Sequence, residues 1–154
     1  MSEKDAKNYQ LLLEQYTLLL NDVAAAKLCA DLWLTAQIFD DIYDEQITKK
    51  DCLKLMKLVF VDIPQNPVYD AVRLKLQPLL HSMMLQWQAA NSIEENKSDL
   101  NKSYMLRAYF FQIPQYLAAL IHGDEYANQL SDSFNALYGE KYEDYSKEFT
   151  CQTQ

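Results

Sequence analysis

Two glycines and four prolines in 154 residues narrow the folds open to this chain more than any other feature. Tight turns, hairpins and bulges draw on Gly and Pro for the backbone angles they need. A chain so poor in both has few turns, hence few and long elements, and long elements that bury one face are helices. Apolar residues recur at helical spacing throughout. No stretch alternates with period two for long enough to form a strand, and the short VFVDI run is read as a helix end. The expectation is an all-α, single-domain bundle of five or six helices over residues 1–149, with a frayed C-terminal tail at 150–154. Hydrophobic residues at 49% supply a core that needs no staples at this length.

Capping residues set the boundaries. A first helix starts from Ser2 and runs to about Leu20, with Tyr9, Leu12, Leu13, Tyr16 and Leu19 or Leu20 inward. Asn21-Asp22 stops it and caps a second helix over Val23 to Tyr43, about 30 Å long. Thr48 with Asp51 three residues on resembles a capping box and opens a third helix to about Val61, with Cys52, Leu55, Met56, Val59 and Phe60 inward. Pro64 breaks the chain. Asn66 and Pro67 suit the cap and first position of a fourth helix reaching Ser92, with a kink or junction at Pro78. A fifth runs from Ser98 or Asp99 to His122, kinked at Pro114 and closed by Gly123. A sixth starts at about Asp124, carries Tyr126, Leu130, Phe134 and Leu137, and weakens at Gly139.

Charge and cysteines exclude several classes. The formal net charge of −8 repels nucleic acid and anionic lipid unless a local basic patch exists. Lys49, Lys50, Lys54 and Lys57 share one helix, but Asp51 stands among them and no patch is counted. Neither nucleic acid nor membrane is expected as a partner. No apolar run approaches the ~20 residues of a membrane span, and the N-terminus MSEKDAKNYQ has no signal-type apolar region. Three widely spaced cysteines without a C-x-x-C argue against disulfide or zinc frameworks and for a cytoplasmic protein. Cys29 and Cys52 are read as small core hydrophobes.

The candidate site is FDDIYD, residues 39–44, at the end of the second helix. On a helical wheel Asp40 and Asp44 fall on the side of Ala26, Cys29, Ala30 and Trp33, with Asp41 at its flank. Two acids at i, i+4 repel each other and face the negative end of the helix dipole. Three arrangements relieve them: solvent exposure, a divalent cation, or an Arg or Lys from another helix. A second feature matches the first. The fourth helix ends WQAANSIEE, where Trp87, Asn91 and Glu94 or Glu95 share a face. If the two helices lie with these ends together, Asp40, Asp44, Asn91 and Glu95 surround one cavity.

DDIYD fits the D-D-x-x-D pattern and resembles the isoprenoid synthases, the prenyl diphosphate synthases and terpene cyclases. The resemblance covers these residues and the fold class. It implies an isoprenoid-synthase-like bundle in which Asp40, Asp41 and Asp44 hold Mg²⁺ ions that grip a substrate diphosphate. WLTAQIFDDIYDE, IPQNPVYD, LQPLLHSMMLQW and LRAYF are also similar in flavour to small helical proteins of bacteria and their phages, a likeness that implies no activity.

Arg107, in SYMLRAYFF, is the candidate anion-binding residue, or else the neutraliser of a buried acid. His122 before Gly123 reads as a C-terminal dipole partner, and His81 as a core or rim histidine; neither has a nucleophile at triad spacing. Tyr104, Tyr109, Phe110, Phe111 and Tyr116 crowd the fifth helix and suggest a homodimer face, with Tyr138, Tyr142 and Tyr145 as a second stripe. Two functions survive. The favoured one is a non-catalytic binding or interaction protein. The alternative is Mg²⁺-dependent binding, hydrolysis or transfer of a phosphate or diphosphate, with Asp40, Asp41, Asp44, Asn91 and Glu95 at the metal and Arg107 at the anion.

Overall fold

A computed structural model describes residues 3–150, with side chains described from residue 6 to 149. Among the described residues the chain is all-α, with no strand. The helices are α1 (Glu3–Leu20), α2 (Val23–Tyr43), α3 (Lys49–Lys57), α4 (Pro67–Asn96), α5 (Leu100–Ala108), α6 (Gln112–His122), α7 (Asp124–Gln129), α8 (Ser131–Ala136) and α9 (Tyr142–Thr150). The expected cap at Ser2, Cys151 and the frayed tail lie outside the described residues. No described helix is long and apolar enough to cross a membrane.

The caps act as their residue types dictate. Asp22 accepts from the Ala25 amide, Thr48 and Asp51 form a reciprocal capping box, and Asp99 accepts from the Lys102 amide. Asn66 accepts from the Val68 and Tyr69 amides and donates its own Nδ2 to the Ala24 carbonyl at 2.8 Å. That last bond pins the start of α4 to the start of α2. At the other end Trp87 Nε1 donates to Asp40 at 2.9 Å. The two longest helices therefore run side by side in the same direction, and the α3 segment is the crossover between them.

α2 is the central rod, buried at Ala25, Ala26, Leu28, Cys29, Ala30, Leu32, Leu34 and Ile38, with α1, α3, α4 and α6 packed around it. Its alanines let neighbouring backbones approach closely. Tyr16 and Leu20 of α1, Leu76 of α4, Ile113 and Leu117 of α6 and Phe134 of α8 fill the space against it and are all fully buried. A second, smaller cluster joins Leu34 and Ile38 to Leu58 after α3. The last turn of α1 is closed from outside. Tyr126 donates to the Leu19 carbonyl at 2.9 Å, and His122 Nε2 lies 2.6 Å from the Leu20 carbonyl. His122 is thus a clasp on α1 at the end of its own helix.

Five expectations change. The fifth helix is two: a 3₁₀ turn over Tyr109–Phe111 separates α5 from α6, because Pro114 has no N–H for the Phe110 carbonyl and crowds it. The sixth breaks at Leu130, and α9 is a separate helix after Gly139, whose φ of +67° suits a residue without Cβ. His81 is exposed rather than in the core or at its rim. The largest change concerns α3, which carries two apolar stripes. Leu55 and Leu58 face the bundle, whereas Cys52, Met56, Val59 and Phe60, all expected inward, are exposed. The helix continues past Lys57 as a π turn over Leu58–Asp62, which swings Ile63 into the core. α4, by contrast, runs unbroken through Pro78, whose missing bond falls on the solvent side beside Leu74.

Candidate functional site

The parallel course of α2 and α4 sets their C-terminal ends together, and α5, returning after Lys97 in a left-handed turn (φ +48°), adds Arg107. Arg107 is the hub. Its Nη1 donates to Asp40 at 2.9 Å, its Nη2 to Asn91 at 2.6 Å and to Glu94 at 2.5 Å, and its Nε to Glu94 at 3.0 Å. The two bonds to Glu94 make the planar fork that a guanidinium offers a carboxylate. Four of its N–H groups are spent inside the protein, on Asp40, Asn91 and Glu94.

Glu94 is the most enclosed acid of the group, 9% exposed. Besides Arg107, Ser103 of α5 and Tyr145 of α9 each reach its Oε1 at 2.5 Å, and Tyr145 also lies 2.5 Å from Ser103. Burial pushes the Glu94 carboxyl up, but the bonds from Arg107, Ser103 and Tyr145 outweigh it and hold the carboxyl below the ordinary range. The same burial, then Glu94, raises the Tyr145 phenol. Burial lowers the Arg107 guanidinium, yet Glu94 and Asp40 raise it further, so it stays charged. Glu94 is thus held ionised by its donors, and Arg107 stays a cation beside it. The cluster locks α9 onto α4 and α5.

Beside this lock an open recess of about 250 Å³ is lined by Tyr43, Asp44, Asn91, Glu94, Glu95, Lys97, Arg107 and Phe149. The sequence-derived candidates divide here. Asp40, Asn91 and Arg107 meet directly; Asp44 and Glu95 border the same recess; Asp41 lies outside it. Asp44 is exposed, and its carboxyl is raised by partial burial and then by Asp40. Glu95 accepts from the Tyr43 hydroxyl, and Tyr43 packs edge-on against Trp87 with ring centroids 5.4 Å apart. Asn91 is 4% exposed, and its Nδ2 has no partner among the described residues. Among those residues, no three His, Cys, Asp or Glu side chains gather closely enough to hold a metal ion. The charge that accommodates Asp40 is the guanidinium of Arg107.

Sequence reasoning missed Ser103 and Tyr145. Ser103 stands four residues before Arg107 on the same side of α5, the spacing that would have marked it; Tyr145 was marked only as part of an aromatic stripe with Tyr138 and Tyr142, not as a partner of Glu94. The aromatics of the fifth helix divide: Tyr109 and Tyr116 line an open recess, with Tyr116 37% exposed, and the others pack internally. Phe110 and Phe111 are buried, and Tyr104 packs against Tyr138, Tyr142 and Tyr145 at centroid distances of 5.2 to 5.6 Å. No protein-family model, curated protein or solved structure matches the chain.

Proposed function

We propose that the protein is a non-catalytic interaction protein of the cytoplasm, a compartment its free Cys29 and Cys52 suit. One observation carries the reading. Leu53, Met56 and Phe60 are 68%, 56% and 72% exposed on successive turns of one short stretch, while the main polar cluster is closed on itself. Scattered exposed hydrophobics are ordinary, but a row of them on one helix marks a surface that meets a partner. The test is whether these side chains serve folding. L53S/F60S should leave the urea midpoint unchanged or slightly raised, since the exposed surface gains nothing from being apolar. A loss of more than about 2 kcal/mol would show that they belong to the core and would end the reading.

A second reading is favoured by Asp44 and Asn91. A raised carboxyl beside an unpartnered buried amide is a place where a bound group gains contacts. On this reading Mg²⁺ sits between Asp44 and Glu95, with Asp40 and Asp41 behind, and a diphosphate answers Asn91 and Arg107, in the manner of the isoprenoid synthases that DDIYD resembles. It requires the two rim carboxylates to close on each other. Millimolar Mg²⁺ with pyrophosphate should then raise the melting temperature, and D44N should abolish the rise. An unchanged melting curve removes this reading and leaves the first intact.

A further inference from the structure

A recess of about 640 Å³ opens among α4, α6 and α7, on residues that the Arg107 cluster does not use. That volume is within the ~300–1,000 Å³ of small-molecule sites. Gln112, Gln115, Tyr116 and Ala119 line it from one side of α6, within about 100° of one another on the helical wheel. Tyr109 of the 3₁₀ turn joins them, α4 adds Lys75, and α7 adds Asp124 and Asn128. Ala119, with Ala127 of α7, leaves the hollow that a longer side chain would fill. The polar side chains here are unspent. Among the described residues, no hydrogen bond or ion pair engages the amides of Gln112, Gln115 and Asn128, the hydroxyls of Tyr109 and Tyr116, or the charges of Lys75 and Asp124. The Arg107 cluster, by contrast, is closed on itself. Tyr109, Gln112 and Gln115 are also half-buried, so packing fixes much of each side chain while its polar end stays unpaired.

These groups select a class of ligand. One cation and one anion leave the lining neutral, and a chain of net charge −8 disfavours a phosphorylated ligand. Amides and phenols each both donate and accept, as hydroxyls do. Five such groups around one recess suit a ligand with a polar group on nearly every carbon; a peptide spreads one donor and one acceptor over each ~3.3 Å of chain. The tyrosine rings, with Pro78 and Leu79, offer apolar surface to a molecule that has a flat C–H side. We infer that this recess binds a neutral saccharide. A pyranose ring lies with its C–H face on Tyr116 or Tyr109, its hydroxyls bond Gln112, Gln115 and Asn128, and Asp124 accepts from a further hydroxyl. Among the described residues the lining holds a single carboxylate, Asp124, whereas the usual glycoside hydrolysis takes a pair, so the site binds and releases. No residue of α3 lines the recess, so it stands whether or not the α3 row meets a partner.

The experiment titrates the isotope-labelled full chain with cellotriose, triacetylchitotriose and maltotriose to tens of millimolar, followed by amide NMR. The side-chain amides of Gln112, Gln115 and Asn128 report directly. With at least one of the sugars they should shift together and saturably, while the exposed Gln88 amide, which does not line the recess, stays still. Y116A removes a ring from the lining and should weaken binding about tenfold. N128A removes one bond and should weaken it about fivefold; Asn128 is exposed, so this variant carries the test if Y116A fails to fold. No saturable shift with any of the three sugars overturns the inference. Binding that both variants leave unchanged also overturns it, because the sugar then sits elsewhere. Tighter saturable binding of adenosine monophosphate or of a proline-rich decapeptide at the same amides would keep the recess as a site and refute the saccharide.

Discussion

Arg107→Met removes the hub of the polar lock and keeps most of its volume. The cost follows from what it leaves behind. The Glu94 side chain is 10% exposed and that of Arg107 21%, whereas that of Asp40 is 41% exposed and turns to water when the guanidinium is gone. Breaking a buried pair by deleting one partner costs about 3–5 kcal/mol. Glu94 retains donors from Ser103 and Tyr145, so the loss should fall at the lower end, ~3 kcal/mol at pH 7. That is a large part of the 5–15 kcal/mol typical of a domain. The pH dependence carries the mechanism. In the native protein the Glu94 carboxyl lies below its unfolded range, so its contribution is present above about pH 4.3 and is lost as the pH falls through the folded value. In R107M burial is no longer offset by Arg107, and the carboxyl rises above the unfolded range. The variant then regains stability as the pH falls toward about 4.3, where the parent still keeps its Glu94 contribution, and the gap between them narrows. Urea denaturation of both proteins from pH 7 down to about pH 4 measures that gap. E94Q/R107M should recover more than half the loss, since Gln still accepts from Ser103 and Tyr145 and leaves no orphaned charge. A cost below about 1 kcal/mol at pH 7, or a gap that does not shrink in acid, would refute the assignment of Arg107 as the neutraliser of Glu94.

Two Tyr→Phe substitutions should have opposite signs. Tyr16 is fully buried with a hydroxyl that has no partner among the described residues, so Y16F should stabilise by about 1 kcal/mol in the same denaturation assay. Y145F strips a charge-assisted bond from Glu94 and should cost about 1.5–3 kcal/mol, with α9 amides losing hydrogen-exchange protection before the rest. Asn66→Ala loses both the cap of α4 and its tie to Ala24; a drop of ~2 kcal/mol is expected, and a drop under about 0.5 would show the α2–α4 register is held elsewhere.

Helix limits were legible wherever one residue decides them locally. Asp22, Thr48 and Asn66 cap in the structure as their side chains promise, and α2 has the limits its sequence gives. Proline was legible in kind and variable in outcome. Pro114 broke its helix because its upstream carbonyls are enclosed by the core; Pro78 did not, because Leu74 beside its gap is 76% exposed. α3 misled because a helix with apolar residues on two sides does not say which side the bundle takes. That choice was made chiefly by Leu34 and Ile38, which stand on another element, α2, with Ile47 of the connecting loop beside them.

The acidic site shows the same division more sharply. A wheel computes which residues share a side of one helix, Asp40 with Asp44 and Trp87 with Asn91; it was the parallel course of α2 and α4 that brought Asp40 to Trp87. Choosing among solvent, metal and guanidinium required knowing what stands opposite, and that is a property of topology. Arg107 comes 67 residues after Asp40, on a helix whose return depends on the left-handed turn at Lys97. Asp40 and Asp44 therefore part company despite sharing a stripe. Asp40 lies within reach of Arg107 and is neutralised, while Asp44, one turn further, projects past it and keeps the raised carboxyl that Asp40's charge helps impose. A carboxylate pair that reads as one motif in sequence is two sites in space, one closed by the fold and one open to whatever the recess meets.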